Sequence, residues 1–408
     1  MRFDKSFFKN FGVLLTGSIL AQGISIICSP LMTRVFSSES IGIYTYLISV
    51  ATMFMPVINL RYDMSIVTAK KEDVGALIKG GVVVGAVLSI VVSIGYSIFI
   101  VVTQKINLLL TIPFFLLLQL SYSVINTLTS YNNREKNYAT ISKVTVIRSI
   151  IQNLSAFFGL INSSVFTLVS FYTVGQYMGI REQSKTIRNQ LKKIFMIPRK
   201  QVKNVLIKEK NQALFSTPAI FFNGLSYSII TIFIEQLYGF SSVGYYSMSV
   251  RMLGIPMALI SGNMSRIFFE RATDSYNKTG NYSREFRNVF VILLICAIPL
   301  TLFLMMFSPS LFSIFFGEKW RVAGEYVVIL APMFGIRFIV TTMTPALIVV
   351  GKQRVEFLLQ LLFLVFVIIS FVFTNLLGLE INMFLSSISV LFSVGYLLYI
   401  LFIYKFSK

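Results

Sequence analysis

Twelve long apolar runs leave this chain few folds to choose from. A helix needs about 20 largely apolar residues to cross the hydrocarbon core of a bilayer. Runs near that length cover about 11–33, 41–60, 79–103, 107–130, 140–161, 163–180, 213–234, 241–262, 288–308, 325–349, 355–377 and 381–404. Only 13% of the 408 residues are charged, against about 25% in a soluble domain. The sequence has no polar surface to offer water at this length, and it reads as an all-α, polytopic membrane protein. Arg2, Lys5 and Lys9 precede the first run as they would in a signal peptide. That run lacks a small-x-small cleavage site and leads into further spans, so it reads as a retained helix.

The placement of Lys and Arg orients such a chain. With the N-terminus in the cytoplasm, 29 of the 36 cations fall in inner segments. Four (Arg34, Lys105, Lys319 and Arg321) fall outside, and three lie within spans. Both termini are expected on the cytoplasmic side of the inner membrane. The net charge of +20 then belongs to loops, and no nucleic acid partner is implied. The chain has no histidine, which excludes histidine metal sites, Ser-His-Asp triads and histidine proton relays. Neither metal nor cofactor is expected. Cys28 and Cys296 lie in apolar runs and read as core packing rather than a disulfide.

The chain repeats itself. FSSESIGIYTYLISV (Phe36–Val50) returns, with small deletions, as FSSVGYYSMSV (Phe240–Val250), about half the chain later. Prolines pair in the same way, Pro30 and Pro56 in spans 1 and 2 against Pro218 and Pro256 in spans 7 and 8. Six spans per half is an even number, so both halves insert in the same orientation. Parallel repeats predict a pseudo-two-fold axis along the membrane normal, a substrate site between the halves, and alternating access by rocking. The expected organisation is a six-helix lobe over 1–180, a basic interlobe linker over 181–212, and a second six-helix lobe over 213–408. In the linker, Ile187, Leu191, Ile194 and Phe195 fall at helical spacing beside Lys192 and Lys193, before Pro198. Two readings stand for it: a helix lying in the inner interface against anionic headgroups, or a solvated linker whose charges set topology.

Arg148, Arg251 and Arg337 lie inside predicted spans. Each would cost about 2.5–3.5 kcal/mol facing lipid at the bilayer centre. The spans offer almost no acid to pair with them, since Asp63 and Glu235 lie near span ends. Unpaired cations in a polar lumen suit an anion that arrives and leaves, and the planar guanidinium fork suits phosphate. Snorkelling, or capping a carbonyl at a helix end, is the alternative role. Arg34, Arg61, Asn59, Asn223 and Gln22 are further candidates near these spans, with hydrogen bonding between helices as the alternative for each.

Four stretches resemble the polysaccharide flippases of the O-antigen (Wzx) type. They are LLTGSILAQGISIICSPLMTRVFSSESIGIY near the start, RYDMSIVTAKKED after span 2, FFGEKWRVAGEYVVILAPMFGIRFI (Phe315–Ile339), and ALIVVGKQRVEF after span 10. The superfamily also holds multidrug-and-toxin exporters and the lipid II flippase. The resemblance implies twelve helices in two six-helix lobes around a central cationic cavity, gated by spans 1, 2, 7 and 8. It implies as substrate an undecaprenyl-diphosphate-linked oligosaccharide, moved from the inner to the outer leaflet for surface polysaccharide synthesis. A polysaccharide polymerase and a chain-length regulator would be its partners. On this reading Arg251, Arg337, Arg148, Arg34, Arg61, Asn59 and Asn223 bind substrate, and Pro30, Pro56, Pro218 and Pro256 act as gate hinges. Two departures favour the polysaccharide branch: no acid lies between Phe11 and Arg34, and twelve spans are counted where the lipid II branch carries fourteen.

Two other classes fit less well. A membrane polymerase or glycosyltransferase needs a large outer loop with catalytic acids, whereas the longest outer loop, about 308–324, carries only Glu318, Lys319 and Arg321. A cationic-drug antiporter wants an acidic lumen rather than arginines.

Overall fold

The computed structural model describes residues 5–408, and among them every regular element is helical. In chain order these are α1 (Lys5–Val35), α2 (Ser38–Phe54), α3 (Tyr62–Thr68), α4 (Val74–Val102), α5 (Ile112–Arg134), α6 (Tyr138–Phe158), α7 (Val165–Ser184), α8 (Leu191–Met196) and α9 (Arg199–Lys208). They continue as α10 (Thr217–Pro256), α11 (Gly262–Thr279), α12 (Ser283–Phe316), α13 (Arg321–Met343), α14 (Ala346–Val349), α15 (Gln353–Leu377) and α16 (Ile381–Ser407). Among the described residues, eight helical stretches are long and apolar enough to cross a membrane by themselves. The remaining predicted spans fall on α2, α6, α7 and the second arm of α10.

Several boundaries differ from the sequence reading. Spans 7 and 8 are the two arms of α10, which meet at Gly239 with φ 78° and ψ 177°. That backbone region is essentially reserved for glycine, so a kink at one residue stands where a loop over 235–240 was expected. α12 extends the predicted span 288–308 at both ends, and its 34 residues reach about 50 Å. α2 stops at Phe54, and residues 55–61 form a turn rather than the end of a span. Most of the inner segment 263–287 is helix α11.

The chain divides into two compact units, one ending at Gly224 and the other beginning at Leu225. In the first, α6 packs against α1 and α7, while α5 packs against α4, α7 and α3. Asn59 ties the turn after α2 to this frame. Its buried amide donates to Gly81 O at 3.0 Å and Ser123 O at 3.1 Å, and Asn126 Nδ2 donates to Met55 O at 2.7 Å. Leu60 and Arg61 then take left-handed φ values of 49° and 61°, turning the chain into α3. Arg134 Nη1 donates to Ile66 O at 2.8 Å and Ala69 O at 2.6 Å, satisfying carbonyls at the end of α3 that lack helical partners.

The basic segment is built into this unit. Ile187, Ile194 and Val205 are buried in one cluster with Ile66, Leu77 and Tyr131. Lys79 Nζ donates to Phe195 O and Ile197 O, both at 2.7 Å, where a cation favours the C-terminal carbonyls of α8. A solvated linker would bury none of these side chains.

In the second unit α13 is central, packing on α12 and α16, with α15 against α16. Phe363, Phe392, Tyr396 and Tyr399 form its aromatic core. Cys28 and Cys296 are free thiols. Cys296 is exposed on α12 among Ile292, Ile295 and Ile298, an apolar outer face rather than the core packing expected of it.

Candidate functional site

Each unit holds one arginine among tyrosines. In the first, Arg148 of α6 lines a polar pocket of about 300 Å³ with Ser18, Gln22 and Ser25 of α1 and Ser149 and Gln152 of α6. Ser149 Oγ donates to Ala21 O at 2.8 Å, and Asn153 Nδ2 donates to Ser25 Oγ at 3.1 Å, so hydroxyls and amides hold α1 to α6 around the pocket. α7 closes in behind. A Cβ placed on Gly179 would stand 2.9 Å from Arg148 Cδ, so only glycine leaves the arginine its place. The hydroxyls of Tyr122 (α5) and Tyr172 (α7) lie 3.3 Å apart beside it. Tyr44 (α2) meets Tyr172 edge-on, with ring centroids 5.8 Å apart.

In the second unit Arg337 of α13 holds its guanidinium 4.5 Å above the ring of Tyr227 (α10) and 5.3 Å from that of Phe334, a cation–π arrangement. The hydroxyls of Tyr227 and Tyr396 (α16) are 3.1 Å apart. Tyr246 of α10 and Tyr396 lie within electrostatic reach of the arginine. Nε of Arg148 and Nε of Arg337 are both buried with no hydrogen-bond partner. No salt bridge engages either residue among the described side chains. A buried donor without an acceptor is unfavourable by about 1–3 kcal/mol, and more when charged. Each cluster therefore favours a ligand that brings oxygen acceptors.

Tyr44 and Tyr246 belong to the two similar FSS segments, and Tyr172 and Tyr396 stand on α7 and α16. The arginines do not correspond: one comes from α6, the other from α13. The sequence reading missed these tyrosines. The one signal for them was the tyrosine shared by the two FSS segments.

The other predicted residues scatter. Gln22 joins Arg148 in its pocket. Asn59 is wholly buried and committed to bonds between helices, the alternative role considered for it. Arg34 is exposed in the last turn of α1. Arg61 caps α3 from a left-handed conformation, and its Nε is buried without a partner. Arg251 is half-buried on the second arm of α10. The side chains of Asn223 and Pro256 lie outside the described residues. Pro30 is inside α1, Pro56 is in the turn that follows α2, and Pro218 is in the first turn of α10. Five-residue π turns precede α10 (Gln212–Ser216) and follow Pro256 (Met257–Ser261), local departures that mark bends in a helix.

Past the end of the predicted span 163–180, the Glu182 carboxyl is held down to about 2 by Lys143 and Lys185 through contacts of 2.5 Å and 2.6 Å. Asp63 behaves oppositely. Burial pushes its carboxyl up against the opposing pull of Arg61, and its Oδ1 has no partner.

A family model described as polysaccharide biosynthesis protein matches residues 31–325. The chain belongs to that family. No curated protein matches it in sequence. Among solved structures it is similar to the lipid II flippase MurJ in an inward closed conformation, at 13% identity and a TM-score of 0.73, covering 98% of this chain and 90% of that one. It is similar to an inward-facing multidrug resistance MATE family transporter of the MOP superfamily, at 12% identity and a TM-score of 0.68, covering 96% and 94%. A MOP superfamily transporter from Pyrococcus furiosus, described by the reverse polarity of its binding pocket, matches at 12% identity and a TM-score of 0.63, covering 98% and 96%. At these identities the likeness is one of fold: this member of the polysaccharide biosynthesis family is an all-α, multi-pass membrane protein with the fold of the MOP superfamily.

Proposed function

We propose that the protein is a flippase that carries an undecaprenyl-diphosphate-linked oligosaccharide from the inner to the outer leaflet, by alternating access. The observation that carries this reading is the pair of half-buried arginines, Arg148 and Arg337, each with a buried, unpartnered Nε beside hydroxyl-bonded tyrosines. A diphosphate leaving water loses its hydration, and fixed guanidinium forks replace part of it. Tyrosine rings and hydroxyls suit the apolar faces and hydroxyls of sugars. No step of bond-making is required of either cluster. An exporter of organic cations would be better served by carboxylates than by these arginines. Family membership and the likeness to a lipid II flippase support the reading, and the cation bias favours cytoplasmic termini for it.

Deleting the gene tests it. The cell should lose surface polysaccharide and accumulate the lipid-linked repeat unit on the inner leaflet, and re-expression should reverse both. Normal export of the repeat unit in the deletion strain would defeat the proposal.

A further inference from the structure

An apolar groove of about 560 Å³ runs between α4 and α9 in the first unit, within the 300–1,000 Å³ range of pockets that hold small molecules. Its walls are Val83 and Val84 of α4 and Val202, Leu206 and Ile207 of α9. Gly80 sets its depth: a Cβ there would lie 2.9 Å from Leu206 and 3.0 Å from Val202, so α9 nests directly on the glycine. Lys79, Arg199, Lys203 and Lys210 form the rim. Lys79 is already anchored to the carbonyls that end α8. Arg199, Lys203 and Lys210 are exposed and meet no carboxylate among the described residues. The acids nearby are engaged elsewhere, Asp73 by Lys208 at 2.6 Å and Glu209 by Ser65 at 2.9 Å, while Glu72 stays exposed.

The groove does not end at its own walls. Val83 begins a stripe of exposed apolar residues along α4, continuing through Val87, Ile90, Val91, Ile94 and Ile98. This spacing of three and four residues puts them on one face of a helix. α4 is long and apolar enough to cross the membrane, and such a face belongs to lipid tails. A molecule seated in the groove thus meets cations at one end and a path into the hydrocarbon layer at the other. Soluble anions would leave the apolar walls unused, and a neutral lipid would leave the cations unused.

We infer that this groove is a binding site for an anionic phospholipid of the bilayer, its headgroup phosphate held by Arg199, Lys203 and Lys210 and one acyl chain lying along Val83, Val84 and Leu206. The bound lipid fastens the basic segment to α4. The inference does not depend on what the protein transports.

Native mass spectrometry of the full-length protein, titrated with dioleoyl phosphatidylglycerol or dioleoyl phosphatidylcholine, tests it. The wild type should retain the phosphatidylglycerol at roughly tenfold lower lipid concentration than phosphatidylcholine. The triple substitution Arg199→Glu, Lys203→Glu and Lys210→Glu lies on exposed positions and should erase that preference. Val83→Trp fills the groove, keeps every cation and leaves a lipid-facing position apolar, and it should lower phosphatidylglycerol retention several-fold. Equal retention of the two lipids by the wild type would overturn the inference, as would unchanged retention in both variants. Retention of undecaprenyl phosphate without phosphatidylglycerol, lost in the same variants, would assign the groove to the polyprenyl carrier and equally overturn it.

Discussion

At the residue scale, burial and charge pull against each other in three places, and the outcomes differ. Arg148 and Arg337 stand among aromatic rings and hydroxyls, with no salt bridge to either among the described residues. Asp63 is only 3% exposed, and burial outweighs the attraction of Arg61, so its folded-state carboxyl titrates above its ordinary value of 3.8. The linkage then has a definite sign. Below pH 3.8 the group is protonated in both folded and unfolded chains and contributes nothing. As pH rises, the unfolded chain releases its proton first, and stability falls until the folded carboxyl has also ionised. Asp63→Asn removes that loss. It should raise the thermal midpoint at pH 7 by a few degrees, an effect that disappears near pH 3. Equal midpoints for variant and wild type at pH 7 would show that Arg61 fully offsets the burial of Asp63.

At the element scale, the helices were legible because each apolar run is long enough to cross a bilayer, a signal that tolerates errors in its ends. The turns were not. Two apolar spans that meet at a single glycine look like two spans with a loop, because hydropathy does not register that Gly239 alone kinks the helix. Its conformation, φ 78° with ψ 177°, is unfavourable by about 1–3 kcal/mol for a residue with a side chain. Gly239→Val should therefore lower the thermal midpoint and the amount of inserted protein by a corresponding margin. Gly239→Ala should do so less. A Val variant as stable as wild type would mean that the two arms join differently. The basic segment was half legible: of the expected helix from Ile187 to Phe195 only the short α8 forms, after a turn at Ile187, and Phe195 is exposed, while the surface that buries Ile187 and Ile194, around Leu77 and Tyr131, is distant in sequence.

At the scale of the whole molecule, the expected duplication and the cation bias both rest on averages over long stretches of sequence. The site was only partly readable. Arg148 and Arg337 stood out as charges among apolar residues, whereas Tyr122, Tyr172, Tyr227 and Tyr396 were hidden among 19 tyrosines and 39 phenylalanines. What distinguishes them is a hydroxyl pair formed across helices, which no spacing encodes. Asn59 was left between two roles for the converse reason, since a polar residue beside a span reads the same whether it meets substrate or a neighbouring helix. The bias itself makes a prediction. A reporter active only in the periplasm should work when fused after Ser242 and fail when fused after Lys200. Activity after Lys200 would put the basic segment outside and reverse the orientation.

The central claim is that Arg148 and Arg337, whose Nε atoms are buried without a partner, hold the phosphates of a lipid-linked oligosaccharide. Its most direct test is the rate at which a fluorescent undecaprenyl-diphosphate-linked oligosaccharide crosses proteoliposomes, normalised to inserted protein. A charge-assisted hydrogen bond contributes about 1.5–3 kcal/mol, so Arg148→Ala and Arg337→Ala should each slow crossing by roughly 10- to 100-fold. Arg→Lys keeps the charge without the fork and should fall between Ala and wild type. Wild-type rates per molecule in both Ala variants would contradict the account.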